Sequence, residues 1–341
     1  MACLLTLLAS PVATADWFPY PVERTVALGN RSDRLQFRYE PLSASTQPWR
    51  LCAALPHRKD DYWRAIDWGL QSEAKRIGVQ LDIVYAGGYD QLAQQIRQLR
   101  ERCGNGQYHA VLIGAVHERA LNPTLATLAG AGLPLIDLIN GIDSPHVSAR
   151  ARVAFSDMGA AAADFINALC ARERRQFRIA WFPGPKGAGW VRDGDAGFRK
   201  QLRPDCGQIV HSSHGDTGLR VQTELVQTAL KTQPDLDLVV GTAVTAEAAS
   251  HLLRRAGEPR IRTLAYYLNA SVFRGLRSGR ILAAPTDSPV IQARIAIDLA
   301  VRILEKQPYE RQVGPRVVLL DHYNIYNFHP DFALAPEDLA P

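Results

Sequence analysis

Two aromatic pairs and two carboxylates stand where apolar runs of this chain give way to helical patterns. PHRKDDYW carries Tyr62 and Trp63, LAYY ends in Tyr266 and Tyr267, APTD ends in Asp287, and VAFSDMG carries Asp157. Aromatic faces wall a small ligand, and their quadrupole attracts a methylated ammonium-like group. Each ring also has a plainer reading, as core packed beneath its own helix. Strand alternation turns Tyr266 and Tyr267 to opposite sides, so one packs while the other, Tyr267 beside the Asn269 loop, reaches an opening. Asp287 precedes Ser288-Pro289 and Asp157 opens a helix, so both read as helix N-caps as well as cleft residues.

The residues do not promise catalysis. H-E-x-x-H and G-x-S-x-G are missing, and the histidines fall singly. His211 and His214 bracket a loop, where solvated histidines are the simpler reading beside a weak metal or acid–base role. GPKGAGW lacks the Gly-Lys-Ser/Thr ending of a phosphate-binding loop and reads as a glycine-rich strand-to-helix turn. The expectation is a binding protein that is not an enzyme and uses no cofactor and no metal.

These residues need elements to position them. From Trp49 onward short apolar runs alternate with helical patterns: WRLCAAL, a helix near 61–78, VQLDIVYA, a helix near 90–103, HAVLIGA, a helix near 118–131, and LPLIDLI. After the 146–152 connection the alternation restarts with helices near 158–171, 190–203, 219–231 and 245–256 between FRIAWF, QIVHSS, LDLVVG, RTLAYY and RILAAP. Buried parallel strands have this form, so the fold class is α/β, with two similar doubly wound parallel-sheet lobes joined by crossover strands. A helix near 288–305 and strand-like VVLLD and YNIYNF follow. The expected division is an N-terminal lobe of 49–148 with 287–316 and a C-terminal lobe of 149–286 with 317–330. Residues 16–48, without a sustained period, read as an extended arm over the surface. Ligands of such sheets sit outside the carboxyl ends of the strands, in the cleft between lobes.

Length and composition agree with that plan. The 341 residues suit two domains at about 150 residues each. A hydrophobic share of 47% with 21% charged residues is that of a globular chain. MACLLTLLASPVATA reads as a signal peptide, residues 1–15, cleaved before Asp16, although it lacks a basic start. It is too short to span a bilayer, so the expectation is export to the periplasm without membrane insertion. The net charge of +5 is scattered, which does not favour nucleic-acid binding. Removing the leader leaves Cys52, Cys103, Cys170 and Cys206 with no C-x-x-C pair. Disulfides are the better reading than zinc, with three pairings open.

At this level the chain resembles the type I periplasmic binding proteins, ribose-binding-like, and within them the branch that senses trimethylamine N-oxide. The resemblance rests on PHRKDDYW, YAGGY, GTAVTAEAA, YYLNASVFRGL, APTDSPV and the arm ending YEPLSASTQPWRLC, and it covers nearly the whole mature chain. It implies a periplasmic sensor that passes ligand binding to the periplasmic domain of a membrane-bound hybrid sensor histidine kinase. It also implies aromatic contacts to ligand methyl groups from Tyr62, Trp63 and Tyr267, Asp287 as a polar cleft residue, and a Cys52–Cys103 bridge, which leaves Cys170 to pair with Cys206. One segment departs from the family pattern: VAFSDMG puts Phe155 and Asp157 where relatives tend to be Trp-rich, and a carboxylate there would favour a more cationic ligand than the N-oxide. The fold equally suits the solute receptor of an ABC importer for a sugar or other polar metabolite.

Overall fold

Short apolar runs, most of them followed by a helix, build the two sheets of this protein. The computed structural model describes residues 17–25 and 34–339; the expected signal peptide and its cleavage site lie outside them. The first part of the chain forms β1 (Tyr20–Thr25), β2 (Arg34–Tyr39), β3 (Arg50–Leu55), α1 (Asp61–Ile77), β4 (Gln80–Tyr85), α2 (Leu92–Gln98), β5 (Ala110–Ile113), α3 (Asn122–Gly130), β6 (Leu135–Leu138) and β7 (Ala149–Ala151). The second forms α4 (Phe155–Glu173), β8 (Phe177–Gly184), α5 (Gly189–Gln201), β9 (Gly207–His214), α6 (Leu219–Thr232), β10 (Leu238–Gly241), α7 (Ala243–Ala256), β11 (Arg262–Ala265), α8 (Ala270–Arg277) and β12 (Ala283–Thr286). The chain then returns through α9 (Pro289–Leu304) and β13 (Gln312–Pro315) and crosses again to β14 (Val318–Asp321).

The first sheet runs β2-β1-β13-β7-β6-β5-β3-β4 and the second β11-β10-β8-β9, with β12 and β14 as an antiparallel pair. Within each, the first strand lies between the second and third, β4-β3-β5 and β9-β8-β10, and every one of those pairings is parallel. This is the doubly wound order, and its reversal point opens a crevice at the carboxyl ends of the strands. Helix α9 packs on α1 and on β5, β6 and β7, which assigns it to the first lobe.

The structure differs from the sequence reading in several places. The strand at 149–151, expected in the second lobe, pairs with β6 and β13 in the first sheet; three residues are too few to carry a period. The arm is not a covering strap. β1 pairs antiparallel with β13 and β2 with β1, extending the first sheet. Buried carboxylates anchor it: the Trp17 indole donates to Glu73 at 2.9 Å, and the Tyr39 hydroxyl and Leu42 amide donate to Asp298 at 2.5 and 2.7 Å. Helix α8 has no counterpart in the sequence reading; it is started by Asn269, whose side chain accepts from the Val272 amide at 2.8 Å. YNIYNF is not a strand, because Asp321 accepts from the amides of Tyr323 and Asn324 and folds the backbone into a turn leading to a short 3₁₀ segment.

Two disulfides brace the lobes: Cys52 of β3 is bonded to Cys103, beyond the end of α2, with Cα atoms 5.5 Å apart, and Cys170 of α4 to Cys206, just before β9, with Cα atoms 5.3 Å apart. They close loops of 51 and 36 residues. Each loop length corresponds to about 4 kcal/mol of chain entropy removed from the unfolded state, of which roughly 2–4 is usually realised. Reduction, or Cys103→Ser with Cys52→Ser, is expected to lower the urea midpoint accordingly without changing the far-ultraviolet spectrum of the native state. Urea titration with and without dithiothreitol checks it.

Candidate functional site

The loops that leave the strands at the reversal points meet between the lobes and enclose one cavity. Its lining is Asp60, Tyr62, Trp63, Tyr89 and Asn140 from the first lobe, and Phe155, Trp190, Thr217 and Tyr267 from the second. The volume is about 10 Å³, the room of a single water.

Six aromatic rings form the wall. Tyr62 meets Trp63 edge-on at 6.1 Å between centroids and Tyr267 at 5.1 Å. Trp190 meets Tyr267 at 5.9 Å, Phe155 at 5.7 Å and Tyr89 at 6.0 Å, so rings of both lobes make a continuous cage. Two glycines make room for its indoles. A Cβ on Gly114, at the end of β5, would lie 2.7 Å from the Trp63 ring, and one on Gly184, at φ +118°, would lie 2.6 Å from Trp190.

Among the described residues, Asp60 is the one carboxylate that lines the cage. It is the N-cap of α1, its Oδ1 accepting the Trp63 amide at 3.0 Å, and its side chain is also hydrogen-bonded by Thr217. Desolvation pushes its carboxyl up to about 7, against the lowering effect of those two bonds; Asp61 adds to the rise and Arg64 opposes it. Beside it His57 is neutral, lowered to about 4 chiefly by burial. Its Nδ1 accepts the Lys59 amide at 3.3 Å, so Nε2 carries the proton and donates to the Thr217 hydroxyl at 3.1 Å. Burial raises the Tyr62, Tyr89 and Tyr267 phenols well above their ordinary range, so these stay protonated and able to donate. Asn140 donates to the Tyr89 hydroxyl at 3.1 Å and to the Ala115 carbonyl at 2.8 Å. The lobes are also linked by Lys59–Asp216 at 3.1 Å and Arg152–Asp193 at 3.1 Å.

Of the residues singled out from sequence, Tyr62, Trp63, Phe155 and Tyr267 come together in this cavity. Tyr266 packs away from it, its hydroxyl donating to the Pro183 carbonyl at 2.6 Å. The two aspartates do not line it. Asp157 sits within the first turn of α4, whose N-cap is Ala154, and pairs with Arg34 of the arm on the hinge side of the molecule. Phe155 and Asp157 are two residues apart on a helix, about 200° around it, so one faces the cage and the other turns away. Asp287 lies fully buried behind the wall, its Oδ2 accepting the Tyr62 hydroxyl at 2.6 Å. Asp60, Tyr89, Asn140, Trp190 and Thr217 were missed. Asp60 and Trp190 stand inside or at the end of the two strand-end loops already quoted, and Tyr89 ends YAGGY, so position at a strand end was the available signal. His211 bonds only to Ser213 on β9, and no His, Cys, Asp or Glu group able to hold a metal occurs among the described residues.

Comparison with known proteins places this geometry. Residues 53–308 match the model of the periplasmic binding protein domain. The chain is 34% identical over 301 residues to periplasmic protein TorT of Escherichia coli strain K12, covering 88% of this chain and 86% of that protein. Among solved structures, it is similar to an ABC transporter solute-binding protein from Bradyrhizobium sp. BTAi1 with bound bis-tris. The identity is 39%, the coverage 96% of this chain and 99% of that one, and the TM-score 0.81. It is also similar to TorT in its complex with the TorS sensor domain without ligand, at 30% identity, 86% and 99% coverage and a TM-score of 0.76. That complex is also known in the presence of trimethylamine N-oxide, where the TM-score is 0.74. None of the described helices is long and apolar enough to cross a membrane. With two doubly wound sheets, an interlobe cage and this match over most of its length, the chain belongs to the periplasmic binding protein family.

Proposed function

We propose that this protein is an exported, TorT-like receptor whose lobes close on trimethylamine N-oxide or a related small methylated amine. The closed form then signals to the periplasmic domain of a TorS-like hybrid sensor histidine kinase. The observation that carries the reading is the cage of six aromatic rings around one buried carboxyl group. Methyl groups pack on rings without losing hydrogen bonds, and ring faces attract the positive charge centred on a methylated nitrogen. Membership of a family of binding proteins supports binding and release, without catalysis, as its chemistry. Closure becomes a signal only where the ligand favours the closed shape over the open one. The similarity to a receptor of an ABC transporter supports a second reading, import of a small polar solute.

Calorimetric titration with trimethylamine N-oxide, trimethylammonium and ribose separates the ligand classes. Binding of the methylated compounds without ribose is expected, and Trp63→Ala should weaken it by about 1–3 kcal/mol, roughly 5- to 150-fold. Ribose binding alone would move the function to import. Co-elution of the purified protein with a TorS-like sensor domain tests the signalling half, and failure to associate with or without ligand would leave the importer reading.

Asp60 gives the site a pH signature. The N-oxide oxygen accepts, so it is served by the protonated carboxyl, whereas a trimethylammonium ion is served by the carboxylate. As pH rises through about 7, N-oxide affinity is expected to fall and ammonium affinity to rise, and Asp60→Asn should flatten both profiles. Without ligand, stability should decline as pH rises from the ordinary carboxyl range to about 7, because the folded state keeps a proton that the unfolded chain has released. Titrations and melting curves across about pH 5 to 8 check both.

A further inference from the structure

The space behind the cage wall is polar, fully buried and continuous with the hinge. The Tyr62 hydroxyl passes its hydrogen bond to Asp287 Oδ2 at 2.6 Å, on the crossover between β12 and α9. The same oxygen accepts Gln292 Nε2 at 2.7 Å, and Gln292 also donates to the Asp287 carbonyl at 2.9 Å. At its other end, Gln292 Oε1 accepts the backbone amide of Val153 at 3.2 Å, on the crossover between β7 and α4. Two residues on is Phe155, the second lobe's part of the cage. The path thus leaves the first-lobe wall, touches two interlobe crossovers and returns to the wall of the second lobe. Ser288, next to Asp287, adopts φ +50° and is hydrogen-bonded to Tyr20 of the arm at 3.1 Å, so the crossover is held from outside as well.

We propose that Asp287 and Gln292 are positioning residues that tie the orientation of Tyr62 in the cage to the two crossovers, so that a ligand resting on Tyr62 is read at the hinge. Asp287 acts through Tyr62 and does not line the cavity. A buried carboxyl group suits this task because both side-chain bonds converge on its Oδ2 in a low-dielectric interior, and with Oδ1 already unpaired, rotating either partner leaves a further buried polar group without a bond. The crossovers have little freedom to absorb such a loss: β7 is held between β6 and β13, and Gly314 packs so closely on Arg152 that a Cβ there would lie 2.3 Å from its carbonyl oxygen.

The inference rests on the ligand cage described above, so its test has one arm that needs no ligand. On the full mature chain, Tyr62→Phe and Asp287→Leu should each weaken trimethylamine N-oxide binding about five- to tenfold, and the double variant no more than the worse single. Asp287→Asn keeps an acceptor oxygen for the Tyr62 hydroxyl and should restore most of the affinity. In the ligand-free protein, Tyr62→Phe, Asp287→Leu and Gln292→Leu should each speed amide exchange at 152–154, the crossover residues outside the cage lining, by about threefold or more. Additive losses in the cycle, or exchange at the crossover unmoved by Tyr62→Phe, would overturn the proposal. Should wild-type protein bind no methylated amine while the exchange coupling is present, the ligand reading falls and the relay stands. If Asp287→Leu does not fold, Tyr62→Phe and Gln292→Leu decide the question by exchange.

Discussion

A carboxyl group removed from water must be answered by donors, and Asp60 draws one from each lobe. The Trp63 amide comes from its own helix, whereas the Thr217 hydroxyl arrives from the opposite lobe, itself accepting a hydrogen bond from His57. Only the closed arrangement completes this chain. Thr217 and Asp60 come from opposite lobes, so the apposition of the lobes, the exclusion of water and the charge the site can carry are tied together. The aromatic cage follows from the same constraint, since its rings exclude the water that would otherwise solvate Asp60.

The doubly wound sheets make that meeting possible. Their reversal points place strand-end loops of the two lobes face to face, and each loop delivers a large ring at or near a helix start: Tyr62 and Trp63 on α1, Phe155 on α4, Trp190 on α5. The rest of the molecule stiffens this arrangement. The arm extends the first sheet and is fastened through Glu73 and Asp298, and Arg34 reaches over the hinge side to Asp157. Each lobe carries its own disulfide, so the bridges brace the halves without linking them to one another.

Much of this was legible in the chain. Apolar runs with helical intervals produced the strands β3 to β6 and the helices α1 to α7 near their observed positions, because a buried parallel strand and an amphipathic helix announce themselves by local spacing. β7 and β13 were not legible; with three and four residues, their identity comes from the neighbours they pair with. Helix α8 hid behind the apolar run before it, and its start depended on the Asn269 side chain finding the Val272 amide.

The site divides along the same line. The placing of Tyr62, Trp63 and Tyr267, rather than Tyr266, at one cavity and the two disulfides followed residue type, spacing and resemblance, because each position depends on a few neighbouring residues. Which carboxylate enters the cage was decided only by the tertiary structure. Asp157 and Asp287 look like Asp60 on paper, each before or within the first turn of a helix. Helix register turned Asp157 to the arm, the hinge crossover put Asp287 behind Tyr62, and apposition of two distant loops left Asp60 facing Thr217. Burial and the partner across the cleft set the character of a carboxylate, and both are properties of the closed fold, not of any stretch of sequence.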